Sequence, residues 1–108
     1  MEENIKRIID NPNYRIRLTM ERWNHIISAH PELADKQNVI ESTLHRPEQE
    51  YRGPKGEIAA FKNLQNELNI VVYYRPVNNR DAFVLTAHII TSRRARRKFK
   101  KWKLVKGH

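Results

Sequence analysis

No cysteine occurs in the 108 residues, so thiol catalysis, disulfide staples and Cys-ligated zinc are excluded outright. A reducing compartment is compatible with that absence. No apolar run approaches the roughly 18 residues of a membrane-spanning helix, and the opening Met1-Glu2-Glu3-Asn4 is acidic and lacks a signal-peptide core. These absences predict a soluble protein of the cytoplasm, with no membrane partner. Internal repeats and low-complexity linkers are also missing, and the length suits one domain with a single core. Nor is there a carboxylate cluster on which Mg²⁺ or Ca²⁺ could sit.

Acidic residues are missing from one end in particular. All 12 Asp and Glu precede residue 91, whereas nine of the 21 Lys and Arg lie in the last 18 residues. These are Arg93, Arg94, Arg96, Arg97, Lys98, Lys100, Lys101, Lys103 and Lys106, and they account for the whole net charge of +9. Phe99, Trp102, Leu104 and Val105 interrupt the run, so it is not a simple polybasic tail. Cations displace counterions from phosphates while rings stack on bases, which suits a nucleic-acid partner. Anionic lipid is the competing polyanion, but the apolar residues form no long amphipathic helix. Candidate nucleic-acid contacts are Tyr74 and Arg75 together with Arg93, Arg94, Arg96, Arg97 and Lys98.

Periodicity supplies the order of elements. Residues 2–9 are expected as a short helix, ended by the turn-like Asp10-Asn11-Pro12-Asn13. A strand follows at 14–18. Thr19 is then a good N-cap for a helix that Pro31 stops near Ala29 or His30. Trp23, Ile26, Ile27 and His30 recur on one face of that helix. A second helix is expected over 34–45. After Pro47 the period changes, and strands are expected at 48–52, 58–64, 68–75 and 83–91, joined by short turns as an antiparallel meander. The reading is α+β, with two N-terminal helices packed on one face of a four-stranded antiparallel sheet. It assigns 1–92 to this domain and 93–108 to a basic C-terminal segment of the same domain.

One helical layer leaves the other sheet face free for a ligand. In the last strand Phe83, Leu85, Ala87 and Ile89 are assigned to the core, which turns Val84, Thr86, His88 and Ile90 to the open face. Phe61 in the core would bring Lys62 to the face of Thr86 and His88, around one phosphate, with Arg52 at its margin. His25 and His30, five apart, point some 140° from each other around a helix, so they do not form a metal pair. An imidazole with an ordinary pKa near 6.5 serves instead as base or acid. A metal-free ribonuclease needs one group to take the 2′-hydroxyl proton, another to protonate the leaving 5′-oxygen, and a cation at the phosphate. His30, His88, Lys62, Arg52 and Thr86, with Tyr73 or Tyr74, supply those roles, and no cofactor or metal is expected.

Four stretches occur in an order that resembles a known group: "LTMERWNHIISAHPEL" (18–33), "IESTLHRPEQEYRG" (40–53), "NIVVYYRPV" (69–77) and "AFVLTAHI" (82–89). They look like the phage-associated nuclease domains grouped with barnase, EndoU, colicin-type tRNases and RelE toxins. The resemblance spans roughly residues 15–92. It implies two helices followed by a four-stranded antiparallel sheet, with site positions at His25, His30, Arg52 and Thr86. Members often carry another residue where this chain has His88. The expected function is a metal-independent, toxin-like endoribonuclease acting on tRNA or mRNA and met by a protein antitoxin or inhibitor. A non-catalytic RNA- or DNA-binding protein, or an interaction domain docking an acidic antitoxin, is the alternative.

Overall fold

The run Asp10-Asn11-Pro12-Asn13 closes a hairpin. In the computed structural model, which describes residues 4–106, β1 (Ile5–Asp10) pairs antiparallel with β2 (Arg15–Thr19). At the corner the Asn13 N–H donates to Asn11 Oδ1 at 3.0 Å, an Asx turn that pre-forms the reversal. The helix expected over 2–9 is therefore a strand. Ile5, Ile8 and Ile9 are β-branched, and pairing Ile9 with Ile16 in the core outweighs local helical preference. Glu2 and Glu3 of that expected helix lie outside the described residues.

Thr19 ends β2 and caps α1 (Met20–Ala29), its hydroxyl accepting from the Arg22 N–H at 3.1 Å. Trp23 and Ile26 are buried, Ile27 and His30 half-buried, as one apolar stripe requires. Pro31–Leu33 then makes a single 3₁₀ turn that buries Leu33, so α2 (Gln37–His45) starts three residues later than its periodicity suggested. Ile40, Thr43 and Leu44 form its buried face.

Beyond Pro47, β3 (Gln49–Arg52), β4 (Ile58–Gln65), β5 (Leu68–Pro76) and β6 (Asp81–Thr91) pair antiparallel in sequence. The sheet does not stop there. β2 adds in parallel to β6, carrying β1 with it. The basic C-terminal run folds as α3 (Ser92–Lys98) and β7 (Lys103–Lys106), and β7 pairs with β3 at the far edge. The order is β1-β2-β6-β5-β4-β3-β7, a seven-stranded mixed sheet with three helices. The expected two helices on a four-stranded antiparallel sheet is overturned, because the chain on both sides of the meander supplies edge strands to it.

α1 and α2 cover one face, where Ile26, Leu33, Ile40 and Leu44 pack on Ile58, Ala60, Ile70, Val72, Tyr74 and Val84. The other face is not bare. Phe99, just after α3, is 4% exposed among Phe61, Val71, Tyr73 and Ile90, with Ala95 and Trp102 packed alongside. Ala95, Phe99 and Trp102 are spaced i, i+4 and i+7, so the basic segment is amphipathic after all. The assigned faces of the strands change accordingly. Phe61 belongs to the second face, which turns Lys62 toward α2. In β6 the register slips between the Tyr73–Thr86 and Tyr74–Val84 pairs. The extra residue, Leu85, is a β-bulge that inverts the alternation. Ala82, Val84, Ala87 and Ile89 consequently face the helices, whereas Leu85 packs on the second cluster and Phe83, expected in the first core, turns away from it.

Burial of Phe99 makes the basic segment structural. Phe99→Ala should lower the unfolding free energy by about 3–5 kcal/mol, the usual cost of emptying an aromatic core position. Urea denaturation checks this, and an unmoved midpoint would show that the second cluster contributes nothing to folding.

Candidate active site

His30 and His88 are 58 positions apart in the chain, and the fold sets their rings 5.9 Å apart between centroids at 38°. Two features bring them together. β2 pairs with β6 only at residues 15–17, and where it leaves, α1 runs beside the remainder of β6. Pro31 ends the helix at His30, a cap with φ −135° whose side chain is only partly covered. The ring at the helix end thereby meets the sheet edge at His88. A Glu32 carboxylate 3.7 Å from His30 Nδ1 orients the imidazole from the other side.

His88 is held by two further groups. Its Nδ1 faces the Ile89 carbonyl oxygen at 3.2 Å, an acceptor that fixes the proton on Nδ1. Nε2 is then left to accept from the Tyr73 hydroxyl, 3.0 Å away. Burial pushes the His88 pKa below the ordinary imidazole value; the Ile89 hydrogen bond opposes that, and the positive charges of Lys98, His30 and Arg94 add to it. Burial raises the Tyr73 phenol above its usual value, with Lys98 pulling it back in part. Near neutral pH, a neutral imidazole therefore faces an intact hydroxyl.

A cavity of about 380 Å³ opens beside this pair, lined by His88, Ile89, Ile90, Arg94, Arg97 and Lys98. α3 delivers the cations. Thr91 caps it by accepting from the Arg94 N–H at 3.2 Å. Phe99 anchors its far end, and Lys98 Nζ lies 5.3 Å from the centre of the Tyr73 ring. Three permanent cations beside a neutral imidazole are chemically suited to a phosphate-sized anion. Among the described residues no three His, Asp or Glu side chains converge as a metal site.

The remaining candidates divide by face. Thr86 lies opposite Tyr73 and shares the face of His88. Lys62 does not, because its ammonium donates to Ser42 Oγ of α2 at 2.7 Å on the helix side of the sheet. The expected grouping of Lys62, Thr86 and His88 around one phosphate is therefore overturned. Arg52 is exposed on β3 two residues from Glu50, on the helix side as well, and His25 is exposed on α1. Neither meets His30 or His88. Tyr74 is fully buried and donates to Glu50 Oε2 at 2.6 Å, so it is unavailable to nucleic acid. Arg75 lies on the face of Tyr73, its guanidinium donating to the Lys55 carbonyl at 2.7 Å. Arg93 and Arg96 are exposed on α3, Arg96 bordering a separate cleft of about 610 Å³ with Tyr51 and Trp102. Sequence parity left Tyr73 and Tyr74 as alternatives, and missed Lys98 as a neighbour of either. The spacing of Ala95, Phe99 and Trp102 is the signal that would have folded α3 back over Tyr73.

No family model, curated protein or solved structure matches this chain. No helix among the described residues is long and apolar enough to cross a membrane.

The electrostatics of the pair are directly measurable. A pH titration followed by NMR should place the His88 midpoint below that of an ordinary histidine near 6.5. Replacing Lys98 with Gln removes a cation that disfavours the imidazolium, so the midpoint should move up. A midpoint that ignores the substitution would separate Lys98 from His88.

Proposed function

We propose that the protein is a metal-independent endoribonuclease whose acid–base pair is His30 and His88. The observation that carries this reading is the pairing of the His30 ring with His88, which itself lines a cavity together with Arg94, Arg97 and Lys98. His88, kept neutral, takes the proton of a 2′-hydroxyl, either at Nε2 directly or through the Tyr73 hydroxyl that bridges to it. The 2′-oxygen attacks the adjacent phosphorus, and charge accumulating on the phosphoryl oxygens is met by Lys98 and Arg94. His30 donates a proton to the departing 5′-oxygen, leaving a 2′,3′-cyclic phosphate and a free 5′-hydroxyl. The likeness of the sequence to phage-associated nuclease domains supports the same substrate class through His30 and Thr86, and with it a toxin-like role met by a protein inhibitor; the cytoplasm as its compartment rests on the composition alone. His25 and Arg52, which that likeness also marks, lie away from this pair and are given no step in it.

One observation favours a second reading. The Tyr73 hydroxyl occupies the Nε2 lone pair, so the same surface could bind RNA without turning it over. Incubation with RNA in EDTA separates the two. Cleavage should occur, and His30→Ala and His88→Ala should each reduce it by roughly two to four orders of magnitude with the fold intact. Full activity in either variant would sink the pair. Under the binding-only reading no strand is cut.

The pH profile carries the sign of the His88 shift. A general base must be deprotonated, so the acidic limb of kcat/KM should have its midpoint below pH 6.5. Lys98→Gln should shift that limb upward, whatever it does to the rate. Binding has its own test: changing Arg94, Arg97 and Lys98 together to Gln should flatten the slope of log K against log salt by about 2, at roughly 0.7 per single-strand phosphate contact. Arg93→Gln should leave it unchanged.

A further inference from the structure

α3 carries cations on two flanks. Arg94, Arg97 and Lys98 line the cavity at His88. Arg96, roughly 200° around the helix from Arg94, borders the separate cleft of about 610 Å³ instead, and Lys100, just beyond the helix, borders it too. Both are exposed, and neither has an ion pair or hydrogen bond with another described residue. The bottom of this cleft is apolar. Phe61 and Phe99, buried and perpendicular with ring centroids 4.8 Å apart, line it from beneath. Tyr51 and Trp102, both half-buried, line it beside them. One acid enters from the residue before β3. Glu48 accepts the Asn63 N–H through Oε1 at 3.0 Å, which leaves Oε2 unpaired at the cleft.

We propose that this cleft binds a nucleotide with an amino-bearing base: phosphate at Arg96 and Lys100, base against the aromatic side chains, exocyclic amine at Glu48 Oε2. Two unpaired cations against one carboxylate call for an occupant with more than a single negative charge. A phosphate monoester carries about −1.5 to −2 at pH 7, whereas a carboxylate ligand brings one charge. The apolar bottom offers a bare anion nothing, but every base has an apolar face to lay on it. The volume falls within the roughly 300–1,000 Å³ of small-molecule sites. A carboxylate accepts from the amino group of cytosine and repels the carbonyl oxygen that uracil carries in its place. This chemistry is shared by a free nucleotide and by one residue of a strand. None of it depends on whether His30 and His88 cut RNA.

Equilibrium dialysis of the full chain against labelled 5′-CMP measures the site directly. CMP should bind saturably and about tenfold more tightly than 5′-UMP, and Glu48→Ala should abolish that difference. Arg96→Gln combined with Lys100→Gln should weaken CMP binding on the order of tenfold. All three side chains are exposed, so the variants should keep the fold, which circular dichroism verifies. Ribose 5-phosphate, which has the phosphate without the base, should compete poorly. Displacement of CMP by a 2′-O-methyl oligocytidylate, which cannot be cut through the 2′-oxygen, assigns the site to one residue of a strand. Retention of CMP against it assigns a free nucleotide, and either result upholds the cleft. Absence of saturable binding overturns the proposal, as do equal affinities for CMP, UMP and ribose 5-phosphate. So does binding that survives in the Arg96 and Lys100 variant but is lost when Arg94 and Arg97 are changed to Gln.

Discussion

The antiparallel pairing of β5 with β6 is the contact on which both layers are built. Both strands are central in the sheet, and each is buried on two faces by different partners. The register slip at Leu85 lets the pair do this, because one extra residue exchanges inward and outward positions halfway along β6. Val84 before the bulge and Ala87 after it both point to α1 and α2, and Thr86 and His88 are left on the side of Tyr73. Without the slip, strict alternation from Val84 would put Thr86 and His88 under the first helical layer. An imidazole buried there would need hydrogen-bond partners that an Ile- and Leu-lined core does not offer.

Two adjacent tyrosines show how closely the sheet separates structural from chemical roles. Tyr74 sits on the helix side, edge-on to Tyr14 with ring centroids 5.9 Å apart, and gives its hydroxyl to the buried Glu50. Burial and that carboxylate push its phenol far above the usual range, so it is a fixed donor in a polar core contact. Glu50 also receives the Asn11 amide, which ties the β1–β2 turn to β3. Tyr73, on the other face, gives its hydroxyl to His88 and meets Lys98 over its ring. One step along the backbone changes the partner from a carboxylate to an imidazole.

The basic segment is ordered by its few apolar residues and leaves its many charged ones exposed. Phe99 packs edge-on against Phe61 and Trp102 at 4.8 Å, and near-parallel to Tyr51 at 5.9 Å. That cluster offsets the repulsion of gathering Arg93, Arg94, Arg96, Arg97 and Lys98 on two turns of helix, a repulsion that a bound polyanion would relieve. A disordered tail of the same composition would attract phosphates equally well at long range. Only a folded one holds Lys98 and Arg94 beside His88, where their charge adds to burial, the larger cause, in disfavouring the imidazolium.

Elements whose signals are local could be read directly from the chain. The Thr19 cap, the stop at Pro31, the stripe of Trp23 and Ile26, the meander after Pro47 and the concentration of charge after residue 91 depend on neighbours within a turn or two. His30 and His88 could be named as chemistry-bearing residues for the same reason, since each breaks an otherwise apolar pattern. Tertiary structure alone decided which face each strand shows, because a single bulge at Leu85 and the return of Phe99 to the sheet invert parities that alternation would otherwise fix. It also made residues 5–10 a strand, since β1 exists only where β2 can receive it, and it moved Lys62 away from His88 by giving the sheet a second core. Local periodicity records how often a side chain is buried. Which layer buries it depends on contacts between residues tens of positions apart, and the energy of those contacts is absent from any short window of the chain.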